Sequence, residues 1–280
     1  MLRDELTFMF GRVRIRVLLL AAAAVPVGYT IAVRLSGHAT GDAPPFVGQI
    51  PQNGVFAGLA GLAGLTTTVP AVLPLMLAVV AGDAIAGEAD YGTLRSLLIA
   101  PVSRGRLLLI KLAAVCAFAV VAAFVVTGAG LLAGAILFHL GPVNTAVGAE
   151  DPGPAVHLTG PAFPLAVGIG RLALAAAIGG MQLFGFGAIG VFISTLTRIP
   201  LAATLGAAGV LGLSDALESA SFLTPIRPAI PSTYWDAYPS LFHAGQPLGD
   251  TVNAVAVSLT YLLVFGVAAW LNFRHADIAT

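Results

Sequence analysis

Residues 108–137 read LLIKLAAVCAFAVVAAFVVTGAGLLAGAIL and contain one charged side chain, that of Lys111. A helix needs about 20 predominantly apolar residues to cross the hydrocarbon core of a bilayer, so this run predicts a membrane span. The whole composition agrees, because 58% of the 280 residues are hydrophobic and only 9% are charged. A soluble globular domain carries roughly 25% charged residues, and the chain is therefore predicted to be a polytopic membrane protein.

Further apolar runs bring the predicted number of spans to six. We expect an all-α membrane protein with a single transmembrane domain over residues 1–280 and spans at about 17–35, 66–86, 108–137, 166–195, 200–218 and 252–273. Before the first span, arginines alternate with apolar residues, which predicts an amphipathic helix on the membrane surface. Before the last span, prolines and aromatic residues occur together. There we expect short Pro-broken helices that dip into the outer leaflet, with an ordinary surface loop as the alternative.

The basic residues orient these spans. If the N-terminus lies inside, the inner segments hold ten of the 13 basic residues, and only Arg34, Arg171 and Arg227 lie at or beyond the outer face. Lysine and arginine are in excess on the cytoplasmic side of membrane proteins. We therefore expect a multi-pass protein of the cell membrane with both termini in the cytoplasm. The formal net charge is zero, so no overall electrostatic field favours nucleic acid as a partner. Membrane lipids are expected partners because the chain is predicted to span the membrane.

The segment between the second and third spans is unusually polar for this chain. Residues 87–107 read GEADYGTLRSLLIAPVSRGRL. Asp90 is suited to begin a short helix, whose apolar face would carry Leu94, Leu97 and Leu98, and Pro101 would end it. Such a helix can lie on lipid or fill a groove in a soluble partner, and the residues alone leave both interpretations open.

The order of motifs in this segment resembles a known family. Gly87-Glu88, Tyr91-Gly92-Thr93-Leu94-Arg95, Pro101-Val102-Ser103-Arg104 and Lys111 together resemble the cytoplasmic signature of ABC-2 type transporter permeases. The resemblance implies the transmembrane subunit of an ATP-driven exporter, paired with a second permease subunit, identical or paralogous. Two cytoplasmic ABC ATPase subunits would complete the complex and hold the ATP and magnesium.

The resemblance also assigns a role to the segment itself. Residues 87–104 would couple the permease to its ATPase, through the following side chains: Glu88, Gly92, Thr93, Leu94, Arg95, Leu97, Leu98, Pro101 and Arg104. Members of the family move drugs, lipids, polysaccharides and other cargo outward. The apolar, Phe-containing spans suit a hydrophobic or amphipathic substrate, although they suit lipid contact equally well.

The sequence offers no enzyme chemistry of its own. Lys111, the only lysine, follows Leu109 and Ile110 rather than the glycine of a P-loop, so ATP hydrolysis is expected from the partner. We expect no catalytic residue, no cofactor bound by this chain and no metal site. Two alternatives are an intramembrane aspartyl protease that uses Asp83 and Asp215, and a membrane scaffold or assembly factor without transport.

A few ionisable or polar side chains fall near the outer ends of the spans or inside them. Arg171 in span four and Asp215 and Glu218 in span five could form an ion pair or line an export path. Gln182 could bond to a neighbouring helix or face the path. Asp83, at the inner end of span two, could reach toward the inner surface or take part in coupling.

Overall fold

The computed structural model describes residues 2–35, 64–65, 68–90, 104–138, 164–219, 227–235 and 249–275. Within these ranges the chain forms α-helices and two 3-10 turns, without a strand. The helices are α1 (Leu2–Gly11), α2 (Val13–Leu35), α3 (Val72–Asp83), α4 (Ala86–Asp90), α5 (Arg104–Phe138), α6 (Leu165–Gln182), α7 (Phe184–Leu196), α8 (Pro200–Ser219) and α9 (Gly249–His275). The 3-10 turns are Arg227–Ala229 and Pro231–Tyr234. The predicted all-α fold is confirmed.

Six helical segments are long and apolar enough to cross a membrane, which confirms the predicted multi-pass architecture. They are Val13–Ala32, Val72–Asp90, Arg104–Phe138, Leu165–Leu196, Pro200–Glu218 and Gly249–Arg274. The third has 35 residues and, at 1.5 Å per residue, measures about 52 Å. Because the hydrocarbon core is only about 30 Å thick, α5 must tilt or continue beyond it. That the spans form a single domain stays a prediction.

The helices pack as two groups around small residues. In the α5 group, α5 lies between α2 and α6; in the α7 group, α7 packs on α3, α8 and α9, and α3 also packs on α8. A Cβ atom on Gly180 of α6 would lie 2.7 Å from Cα of Val120 in α5, and one on Gly190 of α7 would lie 2.7 Å from Cβ of Ala81 in α3. Glycine is therefore required at both helix crossings, as is common in membrane bundles.

Two of the six spans are interrupted, and a serine from another span satisfies the backbone at each break. Span two breaks between α3 and α4, where the Ser194 hydroxyl accepts hydrogen bonds from the N–H groups of Ile85 (3.1 Å) and Ala86 (2.9 Å) and donates to the carbonyl of Gly82 (2.7 Å). In the hydrocarbon core of a bilayer, no bulk water is present to hydrogen-bond free backbone groups, so an interrupted helix needs partners from the protein at the break.

The break in span four lies at Leu183, between α6 and α7. There the Ser258 hydroxyl of α9 accepts a hydrogen bond from the N–H of Gly185 at 2.9 Å. The same oxygen lies 3.0 Å from the carbonyl oxygen of Met181 and 2.9 Å from that of Gln182. Ser258 therefore plays the role in span four that Ser194 plays in span two.

The structure describes α1, where the sequence predicts a surface helix, and part of the Pro-rich segment before the last span. In α1, Met9 is buried and Leu6 and Phe10 pack on the core, while Phe8 is exposed. The turns between α8 and α9 place Trp235 in the interior, with its ring edge-to-face against Phe186 at a centroid distance of 6.0 Å. The membrane depth of both features stays a prediction.

Candidate coupling site

Six charged side chains meet at one end of the bundle; five come from α1, α2, α3, α4 and α5, and one comes from the bend between α1 and α2. We refer to them as the ion-pair cluster: Glu5, Arg12, Arg14, Asp83, Glu88 and Lys111. The cluster contains three cations and three anions, so it is formally neutral. Glu88 lies two residues before the end of α4 at Asp90, and Lys111 lies seven residues, about 10 Å, after the start of α5 at Arg104.

The buried part of the cluster is centred on Lys111. Its Nζ atom contacts Oε1 of Glu88 and lies 2.7 Å from Oε1 of Glu5. The side chains of Lys111 and Glu88 are only 5% and 8% exposed, whereas Glu5 retains more contact with solvent. A cation buried to this degree is strongly disfavoured unless carboxylates compensate it, and here it has two. Lys111 thereby ties α5 to α1 and to α4.

The more exposed part of the cluster is centred on Asp83. Nη1 of Arg12 lies 3.0 Å from Oδ2 of Asp83, and Nη1 of Arg14 lies 3.7 Å from Oδ1. The Arg14 side chain is 57% exposed, so solvent screens its attraction to Asp83. These pairs tie the start of α2 to the end of α3. Asp83, which the sequence places at the inner end of span two, is thus held in ion pairs inside this site.

The local sequence explains how α1 and α2 can face different partners. The helix is interrupted at Arg12, between Gly11 and Val13, where the backbone N–H of Arg12 bonds to the carbonyl of Met9 at 3.2 Å. The Arg16 guanidinium donates to the last carbonyls of α1, those of Phe10 and Gly11. A basic side chain at a helix C-terminus satisfies carbonyls that lack an intrahelical partner. The bend leaves Glu5 beside Lys111 and Arg12 beside Asp83.

A pocket opens next to the cluster, between α1, α2, α3 and α5. Its polar side is formed by Glu5, Arg12, Arg14, Asp83 and Lys111, and its apolar side by Phe8, Met9, Ile15, Val79, Val80, Ala84, Ala114 and Val115. Because both walls include residues of α1, a movement of that helix would change the shape of the pocket and the ion pairs together.

The structure describes only the borders of the predicted coupling segment. Glu88 is buried against Lys111, and Nη1 of Arg104 donates to the carbonyl of Arg274 at 3.4 Å, which joins the start of α5 to the end of α9. The other predicted coupling residues lie outside the described ranges: Gly92, Thr93, Leu94, Arg95, Leu97, Leu98 and Pro101. Their contact with an ATPase stays a prediction.

The predicted pathway residues occupy different surroundings. Oε1 of Glu218 accepts a hydrogen bond from the hydroxyl of Ser232, and the Thr233 hydroxyl lies 3.1 Å from the same oxygen and 2.9 Å from the carbonyl oxygen of Arg227, so the turns between α8 and α9 provide partners for this carboxylate. Gln182 is 1% exposed and lies at the break in span four. An ion pair between Arg171 and Asp215 or Glu218 stays a prediction.

The geometry speaks against a shared-proton pair of aspartates. Gly82, next to Asp83, approaches Thr204 so closely that an added Cβ would lie 2.8 Å from the Thr204 backbone nitrogen. Asp215 follows Thr204 by eleven residues on α8, which is roughly 16 Å along the helix axis. The two carboxylates are therefore too far apart to share a proton, as the aspartyl protease alternative requires.

Sequence reasoning found Glu88 and Lys111 but missed their partner Glu5 and the two serines at the breaks. Glu5 and Lys111 are separated by 106 positions, and Ser194 and Ile85 by 109. Local periodicity cannot detect such pairs. Only two sequence features are consistent with the Glu5–Lys111 contact: an acidic residue in α1 and one lysine at the start of a very apolar span.

The region that contains most of this site matches a known protein family. Residues 12–149 match a family described as ABC-2 family transporter protein. The matched region contains every residue of the ion-pair cluster except Glu5, together with the whole 87–111 stretch. No curated protein matches the chain.

Proposed function

We propose, from the premise that this chain belongs through residues 12–149 to the ABC-2 family of transporter proteins, that it is the permease subunit of an ATP-driven exporter. Family membership itself implies a permease role and an ABC ATPase as partner. The finer parts of the proposal are outward transport across the cell membrane, a second permease subunit, identical or paralogous, and cytoplasmic termini. ATP and magnesium would bind only in the partner, and this chain would hydrolyse no ATP.

The ion-pair cluster is the observation that supports this proposal most directly. Residues 91–103 connect α4 to α5, and the Lys111–Glu88 pair links those same two helices just inside the connection. A force that an ATPase applies to residues 91–103 would therefore reach α4 and α5 together. Through Glu5 it would also reach α1, which lies next to α5.

The cluster also supplies the two helix groups with a common attachment point. Arg12 lies between α1 and α2, and Lys111 lies on α5. Asp83 and Glu88 lie on span two, which packs in the α7 group. The two sets of ion pairs thus connect the groups at the end where the ATPase would bind. A relative motion of the groups, as alternating access requires, must change the contacts at this end, and the Asp83 pairs, which are more exposed, open more readily than the buried Lys111–Glu88 pair.

The cargo is proposed to be hydrophobic or amphipathic. The support is the apolar character of the spans, whose exposed surface carries many large aliphatic side chains. A scaffold without transport remains the alternative to an exporter, and association with an ATPase distinguishes them.

The proposal is tested by affinity purification of the tagged chain from its native membrane in mild detergent. We expect an ABC ATPase to co-purify and ATP turnover to require both proteins. The matched measurement uses the chain purified alone, which should show no turnover. A native preparation that consistently lacks an ATPase would favour a scaffold, and turnover by the chain alone would refute the division of labour.

A further inference from the structure

The break in span four contains a polar side chain that the packed structure does not use. Gln182 is 1% exposed, yet neither its Nε2 nor its Oε1 atom forms a hydrogen bond. Buried polar side chains in proteins almost always have a partner, and each exception requires an explanation. An amide buried without partners in one conformation is explained if it finds them in another, or if it binds a molecule that enters the site.

Gln182 lies at the point in span four where the chain passes from the α5 group to the α7 group. The preceding helix, α6, packs mainly on α5 and less extensively on α9, whereas α7 packs mainly on α3, α8 and α9 and less extensively on α5. Immediately beyond the break, a Cβ on Gly187 would lie 2.9 Å from Val115 of α5 and 3.4 Å from Leu77 of α3, so both groups line this point. A bend of span four near Leu183 would allow the two groups to move relative to each other.

The backbone at Leu183 is suited to bending. The N–H of Leu183 bonds to the carbonyl of Gly180 at 3.3 Å, which is the pattern of a tight 3-10 turn rather than of a continuous α-helix. The Ser258 hydroxyl has one hydrogen, so it donates fully to only one of the carbonyls of Met181 and Gln182. Exchange of this hydrogen bond between two carbonyls allows the helix to bend without a complete loss of partners.

A second unused donor lies one turn further along. The ring of Phe186 packs against Trp235, which is 3% exposed and whose Nε1–H has no acceptor. Trp235 ends the outer 3-10 turns between α8 and α9. Unpaired hydrogen-bonding groups therefore occur on both sides of Phe186, at the break and in the outer segment.

We propose that span four bends at Leu183 during transport and thereby exposes the Gln182 amide to the transport path, where it hydrogen-bonds an uncharged polar group of an amphipathic cargo. This inference rests on the proposed exporter function and specifies its substrate class. The amide offers a donor and an acceptor but no charge, which suits a hydroxyl or amide group. A charged group at the same place would need a counter-charge that Gln182 cannot supply.

The bend is tested by the reactivity of a cysteine at position 182. The variants Gln182→Cys and Ala207→Cys are made in a Cys116→Ala background and assembled with the ATPase in lipid nanodiscs. Ala207 is fully buried and faces Gly190 inside the α7 group, so it is the matched control. A buried thiol is inert, whereas a hydrated one reacts with maleimide as its thiolate.

We expect the maleimide reaction rate of Gln182→Cys to differ at least tenfold between the nucleotide-free and the vanadate-trapped complex, with Ala207→Cys slow in both. A slow reaction at 182 in both states overturns the bend. An equal change at 207 also overturns it, since the whole bundle would then loosen. If wild-type chain fails to assemble with an ATPase, the exporter proposal fails instead, and the two failures are thus distinguished.

The role of the amide is tested with Gln182→Leu. Because the amide makes no hydrogen bond in this conformation, the melting temperature of the variant should be unchanged or higher. If the amide instead bonded to a buried structural water, its removal would lower the melting temperature.

As the cargo probe we use octyl glucoside below its micelle concentration, with octanoate and octylammonium as charged amphiphiles of equal chain length. Octyl glucoside should raise ATP turnover at least twofold in the wild-type complex and not in Gln182→Leu, and the charged probes should have no such effect. Equal stimulation of both complexes, stimulation by the charged probes, no stimulation of the wild type, or a lowered melting temperature would each refute the assignment.

Discussion

Removal of the Lys111 cation gives the most direct measure of the ion-pair cluster. In Lys111→Met, Glu88 keeps its buried position but loses its cation, and Glu5 loses the partner at 2.7 Å. Removal of one member of a buried ion pair costs about 3–5 kcal/mol, because an uncompensated charge stays inside. Most of this cost arises at Glu88, since Glu5 is more accessible to water and can be hydrated.

The expected loss is measurable as a shift in melting temperature. For a protein of this length, each kcal/mol changes the melting temperature by about 2–4 °C, so Lys111→Met should melt roughly 6–20 °C below the wild type. Intrinsic fluorescence of the protein in nanodiscs, followed during heating, measures this shift. The matched control is Arg14→Met, whose exposed pair is worth about 0–1 kcal/mol and whose melting temperature should fall by less than about 4 °C.

A second variant separates charge from packing. In Lys111→Met with Glu88→Gln, both buried charges are absent, and most of the lost stability should return, because replacement of a whole buried pair by neutral groups is often nearly neutral. If Lys111→Met melts within 2 °C of the wild type, or if the double variant is less stable than Lys111→Met, the electrostatic account of the cluster is wrong.

Three further outcomes follow from the site and the fold. Replacement of both Leu97 and Leu98 by Asp should leave membrane insertion intact and weaken ATPase binding at least about 100-fold in a pull-down. The reason is that each buried Leu contributes about 1.5–3 kcal/mol to the association. Undiminished binding and transport would show that this segment only lies on lipid. Ser258→Ala should destabilise the protein by about 1–3 kcal/mol in thermal unfolding, because the Gly185 N–H loses its acceptor. The control Thr260→Ala, on the exposed face of α9, should change the stability little. Equal effects of the two variants would contradict the role of Ser258 at the break. A reporter fused after residue 150 should be exported and one at the C-terminus should stay in the cytoplasm, and a cytoplasmic signal from the first fusion would overturn the proposed orientation.

The spans could be predicted from the sequence because hydropathy is a local and additive property. Each apolar run carries its own signal, and the one around Lys111 needs no knowledge of the remaining chain. The breaks could not be predicted in the same way. Glycines surround Leu183, but glycine is frequent in membrane helices generally, and the serine that satisfies the break is 73 positions away from Gly185.

The candidate site was predictable to a similar extent. Motif order pointed to Glu88 and Lys111 but not to the contact between them. The sequence could not reveal that α1 returns to α5 to supply Glu5, because that contact depends on the bend at Arg12. Likewise, the hydroxyl partners of Glu218 come from turns whose shape is set by packing against α8 and α9.

The two halves of the cluster have similar chemistry but different burial, and this difference gives them different roles in transport. Water and salt compete more strongly for Arg12 and Arg14 than for Lys111, so their pairs with Asp83 open and close at a lower cost than the buried pair. Lys111 and Glu88 are shielded, and separating them would leave two uncompensated charges inside the protein. A displacement of residues 91–103 should therefore move α4 and α5 together through Lys111 and change the contact between α2 and α3 first. The buried pair then transmits the force, and the exposed pairs provide the reversible step.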